Sequence, residues 1–423
     1  IVVEKGAFLD VSGTSETFDL PVSEVTSETA VNKLPVSGLF TTPLATQGVR
    51  TKVDSDGGTI SLAGSEMMLS DARLRGRAGG NSATAGTLSV SSKRFYSVLD
   101  GIVTSADTNL VVRQAGDVID PASAVGVGIG LLDADGNAYG NMGTFALDRF
   151  HQGGFANLEL GGNYDPTGLV PVGGNVRFEG DIKLIVPGAL RLAAGGVVTG
   201  DGSIQIRAGY AAIGQGFRPP LNPNDAFLPF RQDPAVPSAA FNFAPTFGTG
   251  ALDIRSRYID IGTLSLQDIG SAELRAGDGE IRGNSTIHIA GDLKLRAGSI
   301  YPTSGSRFSL FAYDHSEGTG SITFESGGRN PIPFSNGGVL EAYATDIVQA
   351  GTLRAPGGRI ILGWDGTDID PSDADLDTPF DVIAGSTATV PVTSSVTLAR
   401  GSITSVSTFS ADHAKFRVPY GIS

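Results

Sequence analysis

The feature that most constrains the fold is a short motif that recurs about every twenty residues. Pairs of adjacent glycines are separated by 20 or 22 residues, at positions 57–58 and 79–80, 173–174 and 195–196, and 337–338 and 357–358. In the last interval, Leu340 and Ile360 occupy the same offset from the glycine pair. A period of this length predicts a solenoid, in which each unit buries its apolar face only against the next unit.

Within each repeat, apolar and polar residues alternate over a few positions, as in TISLAG (59–64), DLKLRAG (292–298) and SITFESG (321–327). Alternation with a period of two predicts β-strands, whereas the helical spacing of i, i+3 and i+4 is not sustained anywhere. Leucine-rich and nonapeptide repeat patterns are also absent. We therefore predict an all-β parallel β-helix of about 20–22 residues per coil and roughly 17–19 coils. Leu340 is expected to stack against Ile360.

Residues 214–250 interrupt the repeat with seven prolines and six phenylalanines. Proline cannot donate to a strand ladder, so this segment is predicted to leave the rod and pack back on it. It divides the chain into coils with loop excursions over 1–213 and further coils over 251–423, with an acidic loop near 364–394. Its aromatic side chains either seal the side of the helix or bind a glycan or another rod. These side chains are Phe217, Phe227, Phe230, Phe241, Phe243 and Phe247.

Net charge and composition limit the class of partner and the kinds of site that this chain can have. The formal net charge of −14 disfavours binding to nucleic acid. There is no cysteine, which excludes disulfides and thiolate metal sites. No stretch approaches twenty uninterrupted apolar residues, so we predict no membrane-spanning segment. The chain opens on Ile1 with neither an initiator methionine nor a signal peptide, and we expect a segment of a longer rod.

An acidic run in the 364–394 loop is the best candidate for a metal site. Carboxylates at alternating positions offer the hard oxygen ligands that Ca²⁺ prefers, although the glycine and glutamate of an EF-hand loop are missing. The alternative is a solvated acidic loop, and no cofactor other than calcium is indicated. The candidate ligands are Asp368, Asp370, Asp373, Asp375 and Asp377.

Catalytic motifs are not evident, and we predict that the protein is not an enzyme. The four histidines are scattered, and His288 alternates outward on a strand, where a solvated role is expected. Neither a G-x-S-x-G elbow nor a phosphate-binding loop occurs. Outward Asp and Arg residues, as in DLKLRAG and AELRAG (272–277), leave two interpretations open. They either solubilise the sheet or form the acid–base cluster of a β-helical polysaccharide lyase or hydrolase.

The second half of the chain resembles a known family. The segments IYPT (300–303), IVQAGTLRAP (347–356) and GSITSVS (401–407) occur in the same order in filamentous-haemagglutinin-type exoproteins of Gram-negative bacteria. The resemblance covers residues 260–423. Residues 1–213 share only the general sequence pattern of β-helical exoproteins.

This resemblance implies a right-handed parallel β-helix that is secreted by the two-partner pathway. Such proteins cross the outer membrane unfolded through a barrel transporter and fold at the cell surface. They act as adhesins, in cell aggregation or biofilm matrix, or as stalks for contact-dependent toxin delivery. The partners implied are the transporter, a glycan or protein receptor on a host or neighbouring cell, and further copies of the rod.

Overall fold

The computed structural model describes residues 1–21, 48–64, 67–92, 95–99, 102–106, 109–119, 124–126, 129–132, 142–161, 175–193, 196–214, 244–329, 333–367 and 390–408. It is almost entirely β structure, with 58% strand and 2% helix, which confirms the all-β class. The one helix in these ranges is α1 (Asp148–Gly153). No helix within them is long and apolar enough to cross a membrane.

The strands are short and spread over the whole described chain. In the first half they are β1 (Val2–Val3), β2 (Phe8–Asp10), β3 (Ser15–Pro21), β4 (Gly48–Asp54), β5 (Thr59–Gly64), β6 (Met67–Ser70), β7 (Arg73–Arg75), β8 (Thr87–Ser92), β9 (Phe95–Leu99), β10 (Ile102–Ala106), β11 (Asn109–Arg113), β12 (Ala124–Gly126), β13 (Ile129–Leu132), β14 (Met142–Ala146), β15 (Asn157–Leu160), β16 (Val176–Phe178), β17 (Ile182–Leu192), β18 (Val197–Gly200) and β19 (Ser203–Ile213). In the second half they are β20 (Gly250–Arg255), β21 (Tyr258–Ile261), β22 (Leu264–Gln267), β23 (Ile269–Arg275), β24 (Glu280–Gly283), β25 (Thr286–Ala290), β26 (Asp292–Ala297), β27 (Ser299–Pro302), β28 (Arg307–Tyr313), β29 (Ser321–Ser326), β30 (Val339–Tyr343), β31 (Asp346–Ala350), β32 (Thr352–Arg354), β33 (Arg359–Leu362), β34 (Ser395–Leu398) and β35 (Ile403–Ser405).

Two large sheets are built by parallel pairing between strands of successive repeats. The first sheet has eleven strands in the order β1-β6-β14-β11-β16-β18-β22-β25-β28-β30-β33. The second has sixteen strands and two arms that meet at the long strand β19. The first half of β19 pairs with β20, and its second half pairs with β21.

The bend in this second sheet depends on a close approach of backbones. Strand β17 also spans both arms, and its register with β19 shifts between Val186 and Ala189. Gly188 and Gly209 lie at this bend, and a Cβ atom on Gly209 would lie 2.9 Å from the Gly188 carbonyl oxygen. A side chain at this position would therefore push adjacent strands apart.

Strands about twenty residues apart pair in parallel register where the chain runs without interruption. Leu340 pairs in register with Ile360, as the spacing of the glycine pairs indicates. Neighbouring residues in the second sheet are separated by similar intervals, as for Ile259, Ile281 and Ile300. Because strands alternate with a period of two, this register stacks buried side chains on buried side chains.

In the described residues the first sheet stacks eleven strands, fewer than the 17–19 coils predicted for the whole chain. Residues counted as coil belong instead to connections and antiparallel hairpins, such as β3 with β4 and β9 with β10. The order of stacking also departs from chain order once, because β14 lies between β6 and β11. A uniform solenoid would place β11 before β14.

The core is continuous along both sheets. In β26, Leu293, Leu295 and Ala297 are buried, whereas Asp292 and Arg296 are exposed. One cluster of buried side chains extends from Ile60 to Leu353. Each fully buried leucine or isoleucine contributes about 1.5–3 kcal/mol, and this burial holds together repeats too short to fold alone.

Candidate functional site

Most residues of the predicted sites lie outside the described part of the chain. Asp368, Asp370, Asp373, Asp375 and Asp377 all do, so calcium binding remains a prediction. Elsewhere, no group of three or more histidine, aspartate or glutamate side chains within the described ranges could hold a metal ion.

Of the six candidate aromatic residues, only Phe247 is described; Phe217, Phe227, Phe230, Phe241 and Phe243 are not. The Phe247 ring stacks on His315, with 3.7 Å between ring centroids and an interplanar angle of 7°. A half-buried ring with one face against the protein favours the sealing role over ligand contact for this residue.

The outward face of the first sheet carries an aromatic cluster that covers His288. His288 stacks on Phe311 in the next strand at 4.9 Å, and Phe311 stacks on Tyr343 at 5.2 Å. The Tyr313 hydroxyl lies 3.0 Å from Nδ1 of His288. Val390 and Trp364 pack on the same cluster. The prediction that His288 points outward is confirmed, but its solvated role was wrong because these neighbours exclude water.

Burial gives His288 a pH-dependent effect on stability. It lowers the pKa of His288 from 6.5 to about 3. Between these values the unfolded chain binds a proton that the folded protein does not, so stability falls as the pH falls. We expect His288 to cost about 1.4 kcal/mol per pH unit below pH 6.5, or roughly 2–3 kcal/mol at pH 4.5. Urea unfolding at pH 7.5 and 4.5 would measure this loss.

The matched variant for this prediction is His288→Phe, which retains a ring that can stack on Phe311. It should lose less stability than the unsubstituted protein over the same pH interval. If both proteins lose the same amount, His288 does not carry the effect.

The outward face of the second sheet brings a buried carboxylate and an arginine together. Asp260 has a side chain only 2% exposed, and it accepts hydrogen bonds from Nε and a terminal nitrogen of Arg282 at 2.7 and 2.6 Å. The Tyr210 hydroxyl donates to the same carboxylate at 2.6 Å. Burial, and then the bond to Asp260, raise the pKa of Tyr210, and the bond to Asp260 raises that of Arg282.

A second pair continues this network on the neighbouring strands. The Tyr301 hydroxyl donates to Glu280, and burial together with this bond raises the pKa of Tyr301. Two carboxylates and an arginine on adjacent strands are the arrangement that the lyase or hydrolase alternative requires. However, both oxygens of Asp260 are already hydrogen-bonded, so the geometry favours an internal ion-pair network that ties strands together.

A basic cleft of about 400 Å³ lies near the start of the described chain. The segment RLRGR (73–77) supplies much of its wall, and the guanidinium groups of Arg73 and Arg75 lie 5.6 and 5.2 Å from the centre of the Phe8 ring. Inside it, Arg149 pairs with Asp71 and Asp117, each at 3.1 Å. The cleft therefore joins distant segments through these ion pairs, while its lining keeps more cationic than anionic side chains.

Comparison with known proteins adds no assignment. No protein-family model, curated protein or solved structure matches this chain.

Proposed function

We propose that the chain is a segment of a secreted bacterial surface filament, built as a right-handed parallel β-helix, that serves as an adhesive scaffold. The observation that carries this proposal is the parallel in-register stacking of short strands around one continuous core. Such a stack is stiff along its axis because every strand is hydrogen-bonded to the strands above and below it. Eleven strands at about 4.8 Å each would extend roughly 50 Å.

The proposal separates scaffold from binding surface. Inward positions are occupied by the core, so a partner can contact only outward side chains and the interruptions between strands. The sequence motifs within residues 260–423 support membership of the filamentous-haemagglutinin type. Membership of that type implies export through an outer-membrane barrel transporter in a Gram-negative bacterium. Proteins of that type act in adhesion to host or neighbouring cells, in aggregation and in biofilm matrix, and the proposal gives this chain the same roles.

The lyase or hydrolase alternative has a nearest match in the network of Asp260, Arg282 and Glu280. A general acid or base must be able to exchange a proton with substrate. Asp260 is buried and holds three hydrogen bonds within the protein, which supports the scaffold proposal over this alternative.

Attachment of protein-coated beads to cells tests the adhesive function. Beads that carry the purified chain should attach to epithelial monolayers or to bacterial biofilm more than beads that carry albumin. The physical reason is multivalency, since many copies on one bead amplify a weak contact by about 10²–10⁴. Attachment at the albumin level on both surfaces would contradict an adhesive role for this segment.

A further inference from the structure

Four arginines form a continuous row across one arm of the second sheet. Arg207 pairs in register with Arg255, Arg255 with Arg275, and Arg275 with Arg296. In each strand the residue before the arginine is buried, so the arginines lie on the outward face. We call Arg207, Arg255, Arg275 and Arg296 the arginine row. At about 4.8 Å per strand, it extends roughly 14 Å along the axis of the stack.

The two inner arginines are compensated by carboxylates in the adjacent row. Arg255 pairs with Asp253 at 2.9 Å, and Arg275 contacts both Asp253 and Glu273. The two outer arginines, Arg207 and Arg296, are exposed and have no ion pair with any described residue.

Like charges placed directly opposite each other on neighbouring strands destabilise a sheet. Over the four strands, the outward positions carry five cationic and three anionic side chains, an excess of two positive charges. The cationic side chains are the arginine row and Lys294, and the anionic ones are Asp253, Glu273 and Asp292. This excess stands out in a chain of net charge −14, and an anion laid along the row would relieve the repulsion.

We propose that the arginine row is a binding surface for an extended acidic polysaccharide whose charges are uronate carboxylates. The proposal rests on the adhesive function and specifies its partner. Guanidinium groups bind carboxylates through two parallel hydrogen bonds, which a lysine row could not provide. The strand spacing is close to the length of one sugar unit in an extended chain, so Arg207 and Arg296, three strand spacings apart, meet sugars about three units apart.

The spacing and shape of the row favour this partner over duplex nucleic acid. Asp253 and Glu273 lie beside the row and repel a polyanion, as does the net negative charge of the whole protein. In duplex DNA the phosphates of one strand follow one another at about 3.4 Å along the axis, which does not match the strand spacing of about 4.8 Å in the row. The row is also narrow and straight, which suits a single extended chain.

Binding of a soluble uronate oligomer tests the proposal. The probe is a fluorescently labelled oligogalacturonate, with a neutral dextran and an oligothymidylate of equal charge number as comparisons. We expect the protein to bind the uronate more tightly than either comparison. Arg207→Gln with Arg296→Gln should weaken uronate binding about tenfold, since each arginine contributes a charge-assisted contact.

The control is Arg50→Gln with Arg329→Gln, which removes the same charge from two exposed arginines outside the row. It should leave uronate affinity nearly unchanged. Equal losses in the two double variants, an unchanged affinity in the row variant, tighter binding of oligothymidylate, or no uronate binding would each overturn the proposal.

The thermal midpoint of the row variant should not fall, since it removes stacked like charges; this separates loss of binding from unfolding. If the chain fails to bind uronate but coated beads still attach to cells, the proposed adhesive function stands and only the uronate proposal is rejected. Failure of bead attachment with intact uronate binding would instead reject the adhesive function.

Discussion

Replacing Gly283 by alanine is expected to destabilise the protein by about 1–3 kcal/mol, the typical cost of forcing extra volume into a packed core. Gly283 ends β24, and a Cβ atom there would overlap with carbon atoms of the Phe308 ring, which is completely buried. The ring is fixed by surrounding core side chains and cannot move without opening a void. The free energy of unfolding in urea would measure the loss.

The partner substitution, Phe308→Ala, should cost more, about 3–5 kcal/mol, because it leaves a cavity in the core. The double variant should cost less than the sum of the two, by about 0.5–3 kcal/mol, because the new methyl group occupies part of that cavity. Additive losses would show that Gly283 is not required by the Phe308 ring.

Gly318→Ala is the matched control for Gly283. Gly318 is exposed, and a Cβ atom there would meet the His315 ring at 3.5 Å, an ordinary van der Waals contact. Its effect should stay within about 0.5 kcal/mol. Hydrogen exchange of β24 and β28 would show whether the loss at Gly283 is local, because stacked repeats can open without unfolding the whole chain.

Replacing Asp260 by asparagine is the second large expected effect. The amide retains the shape of the side chain but offers one acceptor oxygen where Arg282 and Tyr210 donate three hydrogen bonds. Removing one member of a fully buried ion pair costs about 3–5 kcal/mol. Because the Arg282 side chain is 36% exposed and can be hydrated, we expect a loss of about 2 kcal/mol.

The comparison for Asp260 is an exposed ion pair of similar chemistry. Arg113 and Glu179 have side chains 44% and 47% exposed, so Glu179→Gln should change stability by less than about 1 kcal/mol. Urea unfolding of the two variants side by side checks the difference. Equal losses would mean that burial of Asp260 adds nothing to the strength of its ion pair.

The strand faces and local register were predictable because they depend on short-range alternation. The common offset of Leu340 and Ile360 from their glycine pairs predicts that they stack, and they pair in register. The alternation in DLKLRAG predicts that Leu293 and Leu295 face inward, and both are buried. The same alternation placed His288 outward. It could not show that Phe311 and Tyr343 would cover it, because burial of an outward residue depends on the side chains of neighbouring strands.

The sequence carries a signal for the arginine row. The arginines of SIQIRAG, ALDIRS, AELRAG and DLKLRAG occupy equivalent positions in their strands. What the repeat could not show is that Arg207 and Arg255 are adjacent, because they are separated by the interruption at 214–250. Asp260 and Arg282 are one period of 22 residues apart, yet their pairing depends on both side chains lying on the same outward face.

The sequence by itself indicated short parallel strands around a shared core, because a period-two pattern inside a twenty-residue repeat buries its apolar faces when successive repeats stack. Tertiary structure decided the number of stacked strands, the placement of β14 before β11 and the burial of His288 and Asp260. These features depend on contacts between segments that are distant in the sequence, and no local pattern specifies such contacts.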